Sequence, residues 1–128
     1  MTFRQTIQRL LKRNNVDMTF EMLQVMHCLW KEQGVSQQTL AEKTAKDKAC
    51  LTNLINNLEK KGWVVRREDT NDRRNKLIFL TPEGEKVAEK IKSLLKDMYT
   101  QIGNQMNTRH MEACMKHLNK LNEIFDQI

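Results

Sequence analysis

Proline occurs once in this 128-residue chain and glycine four times. The few breakers act as punctuation between regular elements, and no low-complexity tract or internal repeat is present. Cysteine is scarce as well. Cys28, Cys50 and Cys114 are odd in number, far apart and never in C-x-x-C spacing, which excludes a disulfide framework or a zinc ribbon. No apolar run precedes a small-residue cleavage site, and none is long enough to span a bilayer, so the expected setting is reducing and cytoplasmic. A Gly-rich phosphate loop, an H-E-x-x-H pair and a serine in a nucleophile elbow are all missing. The carboxylates are spread along helix surfaces, so neither an enzyme nor a cofactor is expected.

What is present is positive charge, unevenly placed. The net charge is +6, which permits a polyanionic partner. Residues 1–35 hold five basic and three acidic side chains, residues 36–81 ten and six, and residues 82–128 seven and seven. The excess lies in the first two thirds. This suggests a nucleic-acid face joined to a neutral assembly segment within one domain.

Helical spacing of Phe3, Ile7, Leu10 and Leu11 predicts a short amphipathic opening helix. Thr19 is the expected N-cap of a second helix through Trp30, apolar almost all round and therefore deeply placed. Ser36 caps a third helix, Gln37 to Lys43, with Leu40 and Ala41 as its buried pair. A fourth runs from about Asp47 to Lys61 and stops at Gly62, with Leu51, Leu54, Ile55 and Leu58 turned to the core. Trp63–Val65 and Leu77–Leu80 then read as two strands, joined by a polar tip from Asp69 to Arg74. Thr81-Pro82-Glu83 is a strong helix start. That helix continues through Val87, Ile91, Leu94, Leu95, Met98 and Ile102. A break near Gly103–Thr108 precedes a last helix carrying Met111, Met115, Leu118, Leu121, Phe125 and Ile128.

Two short helices on a tight connection, the second well patterned and followed by a β-hairpin, define a winged helix-turn-helix. The expected fold is thus mostly α, six helices with a two-stranded β-wing. With its apolar line inward, the fourth helix offers Ala49, Asn53, Asn56 and Lys60 to a major groove, and Lys46 and Lys48 sit at its N-terminal end. An asparagine can bond an adenine edge in bidentate fashion, worth about 1–3 kcal/mol of discrimination. Arg73, Arg74 and Lys76 crowd the hairpin tip, a costly choice for a purely structural turn. It suits an arginine entering a narrow minor groove. Ser36, Gln37 and Arg66 complete the candidate DNA-binding set, and Asp72 is placed to hold the arginine. The bland alternative is an ordinary solvated helix face.

The stretches Ser36–Glu42, Leu54–Val64 and above all Asp69–Gly84, an Asp-x-Arg wing followed by Leu-Thr-x-x-Gly, resemble the MarR family of winged-helix regulators. The resemblance covers nearly the whole chain. It implies an obligate homodimer acting on a pseudo-palindromic operator, in the repressor role, tuned by a small-molecule or redox effector. It further implies Arg74 as the minor-groove arginine and Asp72 as its partner. The family often has a basic residue where this chain has Asn53, so sequence preference should depart from the common pattern. Residues 19–81 would form the DNA-binding part of a single unit, 1–128. Residues 1–14 and 82–128 would supply the dimerisation helices, whose apolar stripes are too long for a small winged core to cover. A helical hairpin folded back on one monomer is the alternative.

Weaker signals stand beside this. His110, Cys114 and His117 form H-x3-C-x2-H on the last helix, a candidate soft-metal set that would make the protein a metal-responsive regulator. Packing at the edge of the apolar stripe is the preferred reading of all three, so no metal is expected. Cys50 lies near Lys46 and Lys48, Cys28 is expected in the core, and Met22, Met26 and Met98 are candidates to line an effector pocket. Two rivals remain: a winged-helix protein-interaction module without a DNA role, and an architectural binder without sequence preference.

Overall fold

The computed structural model describes residues 2–72 and 74–128. Its elements run α1 (Phe3–Arg13), α2 (Phe20–Lys31), β1 (Val35–Ser36), α3 (Gln37–Lys43), α4 (Lys48–Lys60), β2 (Val64–Glu68), β3 (Lys76–Leu80), α5 (Pro82–Gln105) and α6 (Thr108–Gln127). The chain divides into a unit up to Lys92 and a second from Ser93 onward. No helix among the described residues is long and apolar enough to cross a membrane.

Each helix of the first unit begins where its sequence supplies a cap. Thr2 and Gln5 form a capping box on α1. Thr19 accepts from the Met22 amide, and Ser36 from Thr39. Asn15 takes a left-handed φ of 57° and closes α1, with the Val16 amide reaching back to Leu11. Asparagine tolerates that region better than most residues. α1 buries Ile7 and Leu11 within its own unit. The core continues with Val25, Met26 and Leu29 of α2, Leu40 of α3, Leu51, Ile55 and Leu58 of α4, Ile78 of β3 and Ile91 of α5. Removing that much apolar surface from water is the main driving force for the fold. Ala41, Leu54 and Cys28 were expected inside and are only half-buried.

The wing strands pair antiparallel with register Val64↔Leu80 through Glu68↔Lys76. A third strand, β1, extends the sheet by pairing Val35 with Ile78, giving the order β1-β3-β2. Two residues are too few to show a period, so this strand has no signature in the sequence. Thr81 joins sheet to helix. Its hydroxyl donates to the Gly62 carbonyl at 2.5 Å and accepts from the Gly84 amide at 3.0 Å.

The helix α5 passes through Gly103 and ends at Gln105, narrowing the expected break to Met106 and Asn107. Asn107 Oδ1 there accepts from the amides of Arg109 and His110. Helix α6 carries no buried residue, and Leu118, Leu121, Ile124 and Phe125 are 43–60% exposed.

Candidate nucleic-acid interface

A tight turn sets α4 against α3. Thr44 closes α3, Ala45 adopts φ 53°, and the Lys46 amide returns to the Ala41 carbonyl at 3.0 Å. Asp47 Oδ1 then caps α4 by accepting from the Cys50 amide at 2.7 Å. Leu51, Ile55 and Leu58 are 0–1% exposed and fix the helix's rotation. Its other side therefore faces outward by periodicity, and Lys48, Ala49, Asn53, Asn56 and Lys60 are all exposed. At the far end, Gly62 at φ 78° lets the Trp63 amide reach the Leu58 carbonyl and turns the chain into β2.

The wing tip is organised by its two aspartates. Asp69 Oδ1 accepts from the Asn71 amide at 2.9 Å, and Asp72 Oδ1 from the Arg74 amide at 3.0 Å. These Asx turns replace ladder bonds where the hairpin reverses. Asp72 thus holds the backbone of Arg74. The contact between the two expected partners is through the Arg74 amide, and among the described residues the Arg74 guanidinium makes no ion pair. Arg73, the other expected tip cation, lies outside the described residues. Lys76 is tied to Glu68 across the strands at 3.2 Å.

Between the N-terminal ends of α3 and α4 and this wing runs an open cleft of about 580 Å³. Gln37, Gln38, Ala41, Lys48, Leu51, Arg74, Asn75 and Lys76 line it. The lining carries three cations and, among the described residues, no carboxylate, so its potential favours an anion. Gln38 and Asn75 were not picked out from the sequence. Adjacency to Gln37 and Arg74 was the only signal available for them.

Three of the expected contact residues have partners within the chain. Lys46 Nζ donates to Gln24 Oε1 on α2 at 2.8 Å. Ser36 is used as a cap and bonds Thr39 Oγ1 at 2.8 Å. Arg66, read as a phosphate ligand, pairs instead with Glu59 and bonds Gln37 and Asn56, with its side chain only 21% exposed. Asn53 is exposed and has no side-chain hydrogen bond among the described residues.

His110, Cys114 and His117 lie exposed along α6. Among the described residues no group of three or more His, Cys, Asp or Glu is gathered to hold a metal ion, so the candidate set is not assembled. Met22 and Met26 are packed in the first unit's core, and Met98 lies in the second unit. Cys50 is exposed in the first turn of α4.

An outward-facing helix anchored by a helix-turn-helix, beside a hairpin wing, defines the winged helix-turn-helix class. Residues 18–76 match the MarR family. The transcriptional regulator SarZ of Staphylococcus aureus is 32% identical over 97 residues, covering 76% of this chain and 63% of SarZ. The transcriptional regulator HosA of Escherichia coli is 35% identical over 71 residues, 56% of this chain and 53% of HosA. The chain thus spans between about half and two thirds of the length of these relatives. The structure of the S. aureus MepR–DNA complex superposes with a TM-score of 0.83 at 27% identity, covering 94% of this chain and 88% of MepR. Over residues 18–76 this chain matches the MarR family, and over most of its length it is similar in structure to MepR.

Proposed function

We propose that the chain is a transcriptional regulator that binds a pseudo-palindromic operator as a homodimer and acts as a repressor. The observation that carries the reading is the exposed Ala49-Asn53-Asn56-Lys60 face of α4, standing beside a cationic cleft bounded by Lys48 and Arg74. A single helix fits the major groove, and an arginine on a wing suits a narrow, electronegative minor groove. That MepR, similar over most of its length, has been seen with DNA supports this. Lys48, Asn53 and Asn56 would meet bases or nearby phosphates, Lys60 the backbone, and Arg74 the minor groove.

The dimer is supported by α6. Met115, Leu118, Leu121, Phe125 and Ile128 recur at three- and four-residue spacing and are all exposed in the single chain. A stripe of that length on a soluble protein is usually covered, and the same stripe on a second copy is self-complementary. Residues 1–14 are proposed to contribute to dimerisation as well. A small-molecule or redox effector would act by shifting the separation of the two wings.

Selection of bound duplexes from random DNA, followed by gel shifts under salt titration, tests the reading. A repeated half-site and a log–log slope of about −0.9 per phosphate contact are expected. Failure to bind at low salt would leave a protein-interaction module. Binding that random competitor abolishes equally would leave an architectural role.

A further inference from the structure

Arg66 on β2 joins side chains from two other elements. Its Nη1 pairs with Glu59 of α4, its Nη2 donates to Asn56 Oδ1 at 2.8 Å, and its Nε donates to Gln37 Oε1 of α3 at 3.3 Å. Gln37 passes the restraint on, donating from Nε2 to Thr52 Oγ1 at 2.8 Å. Of these groups Asn56 stands on the exposed face of α4.

A guanidinium has five donors and no acceptor. Beside it, the Asn56 carboxamide must turn its oxygen inward and its amino group outward. A bidentate contact with adenine needs both ends, the oxygen for the N6 amino group and the amino group for N7. The charge-assisted bond to Arg66 takes one of that oxygen's two lone pairs and holds the oxygen turned inward, so that the donor side is what faces a base. We infer that Arg66, braced by Glu59, makes Asn56 a donor-only reader that selects base edges rich in acceptors, guanine above all, and gives adenine no advantage. The inference rests on the DNA-binding reading above. It makes Arg66 a positioning residue that acts through Asn56. Asn53, whose carboxamide has no hydrogen bond among the described residues, keeps the adenine-reading option.

The test uses the full chain, a duplex selected from random DNA, and single-base variants of that duplex. Asn56→Ala, a change at an exposed site, marks the base pair read by Asn56 as the one whose preference flattens. At that position guanine is expected to bind at least as well as adenine. Arg66→Leu frees the oxygen and should move the adenine-to-guanine affinity ratio toward adenine by about 5-fold or more. In the Asn56→Ala background the same change should leave the ratio unmoved. Glu59→Gln keeps the guanidinium but loosens its brace, should shift the ratio in the same direction, and decides the matter if Arg66→Leu does not fold. A wild-type preference for adenine over guanine at that position overturns the inference. So does an unmoved ratio in the folded variants, or a base-independent loss from Asn56→Ala. If no motif is selected at all, the DNA-binding reading falls first and takes the inference with it.

Discussion

Two glycines in one helix should respond to alanine in opposite directions. Gly84 lies in the first turn of α5, where an added Cβ would sit 1.9 Å from the Trp63 carbonyl oxygen and 2.8 Å from its carbon. Contacts below 3.0 Å are essentially never tolerated, so backbone must retreat by about 1 Å. That same oxygen accepts the Thr81 amide at 3.0 Å, and a retreat of that size breaks the bond. Overpacking costs about 1–3 kcal/mol and the hydrogen bond about 1 kcal/mol, against about 1 kcal/mol gained from the better helix former. The net for Gly84→Ala is a loss of about 1–3 kcal/mol.

Gly103 has nothing within 4 Å of an added Cβ, and alanine there should add up to about 1 kcal/mol. At about 4 °C per kcal/mol for a chain of this size, Gly84→Ala should lower Tm by about 4–12 °C and Gly103→Ala raise it by up to about 4 °C. Circular-dichroism melts at one fixed protein concentration provide the measurement, because the stability of the proposed dimer would depend on concentration. Equal or higher Tm for Gly84→Ala would refute the close-approach argument. The glycine of the Leu-Thr-x-x-Gly motif would then need another explanation.

Arg74→Ala should weaken binding to nearly all duplexes and flatten the log–log salt slope by about 0.9, read by gel shift. An altered base preference with an unchanged slope would place Arg74 elsewhere. Asn53→Ala should instead cost about 1–3 kcal/mol at one or two base pairs and little at the rest, read by titrating single-base variants. Leu118→Glu and Leu121→Glu on α6 should produce folded monomers in sedimentation, with helical circular dichroism kept. A dimer that survives both would move the interface off this face. Burial, and then the charge of Lys31, hold the His27 imidazole below its usual pKa of 6.5. The folded state therefore binds that proton less readily than the unfolded one, and the stabilisation, complete above 6.5, is lost as pH falls through the lowered folded value. Denaturant midpoints between pH 7 and pH 5 should fall less steeply in His27→Gln than in the wild type.

What the sequence makes legible is chemistry whose partners lie within a few residues. Thr19, Ser36 and Asp47 each meet an amide three positions on, so a short polar side chain before an apolar period is enough to locate a helix start. The inward rotation of α4 follows in the same way from Leu51, Ile55 and Leu58, and with it the outward Asn53 and Asn56. The strand β1 escapes because its partner Ile78 is distant in the chain and two residues carry no pattern. At the site the limit is sharper. Lys46 and Arg66 look, in sequence, like any other cation available to a phosphate. Lys46 is held by Gln24, 22 residues away, and Arg66 by Gln37, 29 residues away. Composition sums charge, whereas tertiary neighbours decide which charges remain open to a polyanion. The same partition separates two asparagines three residues apart on one helix, one with its oxygen held by Arg66 and one with no such bond among the described residues.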